Sequence, residues 1–238
     1  LFRRTFTCTG STQVGGEAVT CPRAHGEMDI YGAFANSCNG VFGQLAAELG
    51  AETMQRYVTR AGLTSQYKVN GIPTAAGRFD VGSTPSQLGW AGVGQYNDLV
   101  NPCAMMVWMG AVANGGKAAV PQLIRKTETP LGTPVSLYLK KQTASLVDGD
   151  TAGRLADMMA NNVAQTYGSS RFPNMDLCAK SGTGEVGGGK APNTWFAGFL
   201  RNEDAPYAFV VLVEEGSSGS DTAGAVASKV LDAVVNGY

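Results

Sequence analysis

At 238 residues the chain has room for one large domain or two small ones. Hydrophobic residues make up 44% and charged residues 16%, which is enough apolar surface for a packed core and excludes a disordered chain. With 18 basic and 19 acidic side chains the net charge is −1 and no basic stripe appears, so nucleic acid has no electrostatic case as a partner.

In chain order, residues 1–36 read as loop-rich, with glycines at 10, 15, 16, 26 and 32. A helix is expected from Ser37, with Val41, Phe42, Leu45, Ala46 and Leu49 on one face and Gly50 as its stop. A second helix is expected over about 52–61, with Met54, Tyr57, Val58 and Ala61 inward. Residues 63–101 read as irregular, and a stretch this long without elements points to a site rather than to scaffold. Pro102 opens the next helix, whose Met105, Met106, Trp108 and Met109 read as core packing.

Short strands or turns follow over 118–147. Thr151 is expected to cap a helix that buries Leu155, Met158, Met159 and Val163. The last third changes character. Leu177–Ser181, Trp195–Leu200 and Tyr207–Val213 are β-rich runs divided by turn residues, which predicts consecutive antiparallel strands. A closing helix repeats Ala223, Val226, Ala227, Val230, Leu231 and Val234 on one face. Helices, then a β-meander, then a helix packed back on the sheet define an α+β fold.

The cysteines are Cys8, Cys21, Cys38, Cys103 and Cys178. The count is odd and no Cys-x-x-Cys pair exists, so neither a metal site nor an organic cofactor is expected. Cys8 and Cys21 flank a Gly/Ser/Thr-rich loop and read either as a disulfide formed in an oxidising compartment or as two free thiols. Cys38, Cys103 and Cys178 read as small buried hydrophobes. The lone His25 reads as a turn residue without a partner cluster.

Two short segments carry chemistry. Lys180-Ser181-Gly182-Thr183 ends an apolar run, which places a lysine at the exposed end of a strand. Gly182 lets a substrate backbone approach, and Ser181 and Thr183 put two hydroxyls on one face. A cation and two hydroxyls beside an open strand edge suit an extended peptide ending in carboxylate, and such a peptide can add as a strand. A polar strand end running into a hairpin is the plainer reading of the same residues. Ser37-Cys38-Asn39 starts a helix, where Ser and Asn are ordinary caps. The same hydroxyl can relay a proton between a lysine and a leaving group, and the amide can orient a carbonyl.

Taken together in this order, Ser37-Cys38-Asn39 and Lys180-Ser181-Gly182-Thr183 resemble the second and third motifs of the penicillin-binding protein transpeptidase family. His25-Gly26, Gly94-Gln95, Pro102, Ala113-Asn114-Gly115-Gly116 and Trp195-Phe196-Ala197-Gly198 extend the resemblance over about residues 20–236, with Tyr96 and Asn101 departing from the family's pattern. The resemblance implies one transpeptidase domain over 1–238, partial on its N-terminal side. It implies D,D-transpeptidation of peptidoglycan, with a D-Ala-D-Ala stem peptide or a β-lactam as ligand. It makes Ser37, Asn39 and Lys180 the candidate catalytic residues: Ser37 shuttles a proton to the departing D-Ala, Asn39 holds the acyl side chain, and Lys180 supports the electrostatics. Ser181, Gly182 and Thr183 are the substrate-binding candidates, with the Thr183 N–H as half of an oxyanion hole.

The family's first motif, Ser-x-x-Lys, should precede Ser37 and does not. Ser65-Gln66-Tyr67-Lys68 matches its letters but stands on the wrong side of Ser37 and after a helix end, so it is read as a chance match. The chain starts at Leu1 and is expected to be a piece of a longer parent, inactive alone, anchored at the outer face of a bacterial membrane by an upstream segment. Apolar surface left open by such a piece implies self-association. A non-catalytic β-lactam sensor or structural cell-wall domain is the alternative. A serine β-lactamase relative is a further one, against which stands the lack of a Glu-x-x-Leu-Asn motif.

Overall fold

The computed structural model describes residues 1–237. The N-terminal stretch is more ordered than its glycines suggest. Strand β1 (Phe6–Cys8) leads into a hairpin of β2 (Ser11–Val14) and β3 (Glu17–Thr20), and β4 (Gly26–Met28) returns to pair antiparallel with β1. The glycines serve the turns between these ribbons. Helix α1 (Ile30–Ala35) follows at once, its first turn capped by the Asp29 side chain accepting from the Gly32 N–H at 2.8 Å.

Helix α2 (Asn39–Leu49) begins two residues later than the sequence reading placed it, because Ser37 has φ 49° and Cys38 is extended. Helix α3 (Ala51–Arg60) buries none of its residues, and Tyr57 is 52% exposed, against the expected inward face. It lies outside the core. Its last turn is held by an Arg60–Asp148 ion pair at 2.7 Å and by the buried Ala61 after it.

The segment read as irregular holds a small hairpin, β5 (Lys68–Val69) with β6 (Ile72–Pro73), and helix α4 (Pro85–Gly92). Thr84 and Gln87 form a reciprocal capping box there, the start signal of a helix inside a Gly- and Ser-rich stretch. Helix α5 (Pro102–Ala113) starts at Pro102 as expected, and its Met109 is buried while Met105 and Trp108 pack against the same cluster. A hairpin of β7 (Lys126–Glu128) and β8 (Pro134–Leu137) projects from the body. Helix α6 (Gly149–Asn162) starts two residues before Thr151. Asp148 is the capping residue, and Thr151 is exposed inside the first turn.

Strands β9 (Leu177–Gly184), β10 (Asn193–Leu200) and β11 (Ala208–Val213) form the main sheet, antiparallel and in the order β11-β10-β9. Alternation sorts its side chains into two layers. Leu177, Ala179, Phe196 and Leu200 share one cluster with Phe172, Ala223, Ala227 and Leu231. Cys178, Ala197 and Phe199 share the other with Met109, Val112, Ala156 and Met159 of α5 and α6. Helix α7 (Gly224–Val235) thus covers one face and α5 with α6 the other, the α+β arrangement expected. One half of the α7 stripe differs from expectation. Ala223, Ala227 and Leu231 are buried, but Val226, Val230 and Val234 stand 44–53% exposed, because three strands reach only the Ala/Leu row.

Candidate active-site cleft

The two sequence motifs, 143 positions apart, meet. The Lys180 ammonium donates to Ser37 Oγ and, at 2.9 Å, to the Ser181 carbonyl. Lys180 leans from the α5/α6 side of β9, and its Nζ lies 5.9 Å from the centre of the Phe34 ring. Burial pushes this ammonium down to about 8. Ser37 is exposed at the tip of the turn between α1 and α2, held at positive φ with the Cys38 N–H bonded to the Ala33 carbonyl at 2.9 Å. A non-glycine residue in this backbone region costs about 1–3 kcal/mol, so the surrounding turn over-determines it.

Asn39 lines the same cleft, but its side-chain amide donates to the Thr20 carbonyl at 2.9 Å. That bond ties the start of α2 to β3 and leaves the amide oxygen and one N–H for a ligand.

Ser181 is fixed by Tyr167, a residue outside both motifs. The Tyr167 hydroxyl accepts from the Ser181 backbone N–H at 2.7 Å and donates to Ser181 Oγ at 2.8 Å. Tyr167 arrives through a π-helical turn, Val163–Tyr167, that prolongs α6, and its ring packs 5.1 Å from that of Phe196. Below it Asn162, fully buried, donates to the Ala179 carbonyl at 2.7 Å and accepts from Thr166 at 3.2 Å.

Thr183 is gripped from two sides: Gln95 donates to its carbonyl at 3.1 Å and the Gly219 N–H to its hydroxyl at 3.1 Å. On an edge strand, alternate residues turn their N–H and C=O outward together. Ser181 and Thr183 make these bonds outside the sheet, so the Thr183 N–H also faces the free edge of β9. The face of Gly182 that would carry a Cβ is open, with only Trp195 Cβ near, at 3.5 Å. Gly219 closes the opposite approach, where a side chain would meet the Gly182 oxygen, and its nitrogen at 2.8 Å.

Ser37, Asn39, Gln95, Lys180, Ser181, Gly182 and Thr183 line one cleft of about 1220 Å³, which also takes in His25, Asn36 and Phe42. Ser65 and Lys68 lie elsewhere, in the turn after α3 and on β5, and cannot pair as they would one turn apart on a helix. Cys8, Cys21, His25 and Cys38 come together beneath the Ser37 turn, so the expectation that His25 has no partner cluster is wrong. They come from three segments, with only Cys21 and His25 sharing a loop, so no Cys-x-x-Cys pair announced them. The Cys8 and Cys21 sulfurs are unbonded, 3.8 Å apart.

An antiparallel sheet layered between helices, with a cation and hydroxyls along one edge strand, places the chain in the α+β class. The sequence profile of the "Penicillin binding protein transpeptidase domain" matches residues 2–235, and the chain belongs to that family. It is 30% identical over 211 residues, 85% of its length, to peptidoglycan D,D-transpeptidase PbpA of Mycobacterium tuberculosis. The chain spans 42% of the length of that curated relative. Among solved structures it matches penicillin-binding protein A from M. tuberculosis in its ceftriaxone acyl-enzyme complex, with TM-score 0.91 and 23% identity, over 99% of this chain and 56% of that one. It also matches the D,D-transpeptidase domain of a peptidoglycan glycosyltransferase from Eggerthella lenta, with TM-score 0.86 and 23% identity, over 99% and 61% of the two chains.

Proposed function

We propose that this chain is the substrate-holding part of a serine D,D-transpeptidase that cross-links peptidoglycan stem peptides, and that β-lactams occupy the same cleft. The observation that carries the reading is the Lys180–Ser37 contact, which joins two motifs from opposite ends of the chain at one free strand edge. Ser37 serves as the proton relay to the departing D-Ala, and Lys180 polarises it. Asn39 orients the acyl side chain. The substrate lies along β9, its carboxylate on the hydroxyls of Ser181 and Thr183, with the Thr183 N–H donating to the developing oxyanion. The open face of Gly182 admits the peptide backbone.

The nucleophile on this reading is the serine of a Ser-x-x-Lys segment outside the 238 residues, and the full-length protein works at the outer face of a bacterial membrane. Among the described residues, no helix is long and apolar enough to cross one. The row Val226, Val230 and Val234 supports self-association of the isolated chain.

The test is acylation by a fluorescent penicillin, read by intact mass. The full-length protein is expected to gain one covalent adduct and to release D-Ala from a D-Ala-D-Ala peptide. The isolated 238-residue chain is expected to gain none. A stable adduct on the isolated chain would move the nucleophile to Ser65, and a full-length protein that neither binds penicillin nor releases D-Ala would overturn the reading.

A further inference from the structure

We propose that Cys8, Cys21, His25 and Cys38 form a structural zinc site that anchors the Ser37 turn. Cys8 ends β1, Cys21 and His25 lie at the two ends of the loop between β3 and β4, and Cys38 caps α2, so three segments deliver the four ligands. Their ligating atoms all lie within 4.8 Å of one another. Cys21 Sγ is 3.8 Å from both Cys8 Sγ and Cys38 Sγ, and Cys8 Sγ is 3.5 Å from His25 Nδ1. A tetrahedron with bonds of about 2.3 Å to sulfur and about 2.0–2.1 Å to nitrogen has edges of about 3.8 Å between sulfurs and about 3.5 Å from sulfur to nitrogen. Three of the six separations already stand at those values, and the other three lie within 4.8 Å.

The surroundings suit thiolates. Gly40 donates its N–H to Cys21 Sγ at 3.5 Å. The His25 backbone N–H donates to the Cys8 carbonyl at 3.1 Å and the Cys21 N–H to the Gly10 carbonyl at 2.9 Å, so the backbone fixes the loop that carries these ligands. An N–H donor to a ligating sulfur, as Gly40 is to Cys21, belongs to the outer shell that orients and tunes a metal site. Cys8 and Cys38 are buried, at 1% and 0% exposure. A disulfide accounts for less of this arrangement. It would draw two sulfurs to about 2.05 Å and leave the third thiol and the imidazole unused.

Three sulfurs and one imidazole favour zinc over calcium or magnesium, which take oxygen ligands. Four protein ligands leave no open position, so the role is structural rather than catalytic. Binding Zn2+ displaces three thiol protons, and the imidazole ligates through Nδ1 in its neutral form. Since Cys38 stands between Ser37 and Asn39, the metal would clamp the second motif to the β1–β4 ribbon.

The experiment is elemental analysis of the full-length protein, purified reduced and without metal-affinity resin, followed by Co2+ replacement. About one zinc per chain is expected, and Co2+ should give intense sulfur-to-cobalt charge-transfer bands with tetrahedral d–d absorption. Cys8→Ser and His25→Ala should lose most of the zinc, whereas Cys103→Ser should keep it. If the ligand variants fail to fold, the cobalt spectrum of the unaltered protein decides alone. Absence of both zinc and charge-transfer bands would overturn the proposal, as would peptide mapping that finds Cys21 in a disulfide with Cys8 or Cys38. None of these readouts depends on penicillin binding, so the metal site and the transpeptidase reading stand or fall separately.

Discussion

Ser37 and Lys180 are the residues on which the proposed chemistry turns, and each yields a measurable expectation. Replacing Ser37 by Ala in the full-length protein should slow acylation by penicillin about 10²–10⁴-fold, the usual contribution of a positioned proton-transfer group. The Tm should change little, because Ser37 is exposed. Lys180 predicts a pH dependence. Burial lowers its pKa from the ordinary 10.5 to about 8. Below about 8 it is charged in both folded and unfolded chains. Between 8 and 10.5 the unfolded chain binds more protons, so this group makes stability rise with pH across that window. Acylation should fall over the same range as the charge beside Ser37 is lost, with an apparent pKa near 8. Lys180→Arg should abolish that alkaline limb in a pH–rate profile, since guanidinium does not deprotonate there. A limb that persists in the variant would assign it to another group. Both residues were legible in the sequence because motif chemistry fixes residue type and order. Tyr167 was not, because its hydroxyl reaches Ser181 only through a π-helical turn that no letter pattern announces.

At the scale of elements, β9 is held by what flanks it as much as by β10. Tyr167→Phe would leave the Ser181 N–H and hydroxyl without their partner, at a cost of about 1–3 kcal/mol. A urea titration should show the lower midpoint, and the same variant should bind penicillin less tightly through a mobile Ser181. Gly219→Ala tests the other flank. A Cβ there would press on the Gly182 backbone and lie 2.9 Å from the Trp195 carbonyl, so overpacking of about 1–3 kcal/mol and a lower Tm are expected. The strands of the last third were legible from alternation and turn residues. Helix α3 misled because a sparse apolar stripe in an exposed helix has the same spacing as a buried one, and only packing distinguishes them. Helix α4 was hidden by the Gly, Ser and Thr around it, though its capping box was written out at Thr84 and Gln87.

For the whole molecule, the order of helices, meander and closing helix gave the α+β class, because layer architecture follows from element order. The extent of the sheet did not follow from the sequence. The half-exposed valines of α7 and the outer edge of β11, unpaired among the described residues, mark where it stops. The isolated 238-residue chain is expected to sediment as an oligomer at micromolar concentration, and Val230→Lys should shift it towards monomer. A monomer with a cooperative melt at all concentrations would contradict this. The 143-residue separation of Ser37 and Lys180 has a consequence for folding. Neither end of the chain can assemble the cleft alone, so penicillin capture by the full-length protein reports on completion of the tertiary fold, and not on formation of its local helices and hairpins. Loop-closure cost grows only with the logarithm of length, about 0.6 kcal/mol per doubling. Extra residues at the exposed tip of the β7–β8 hairpin, near Leu131, should therefore leave that capture almost untouched.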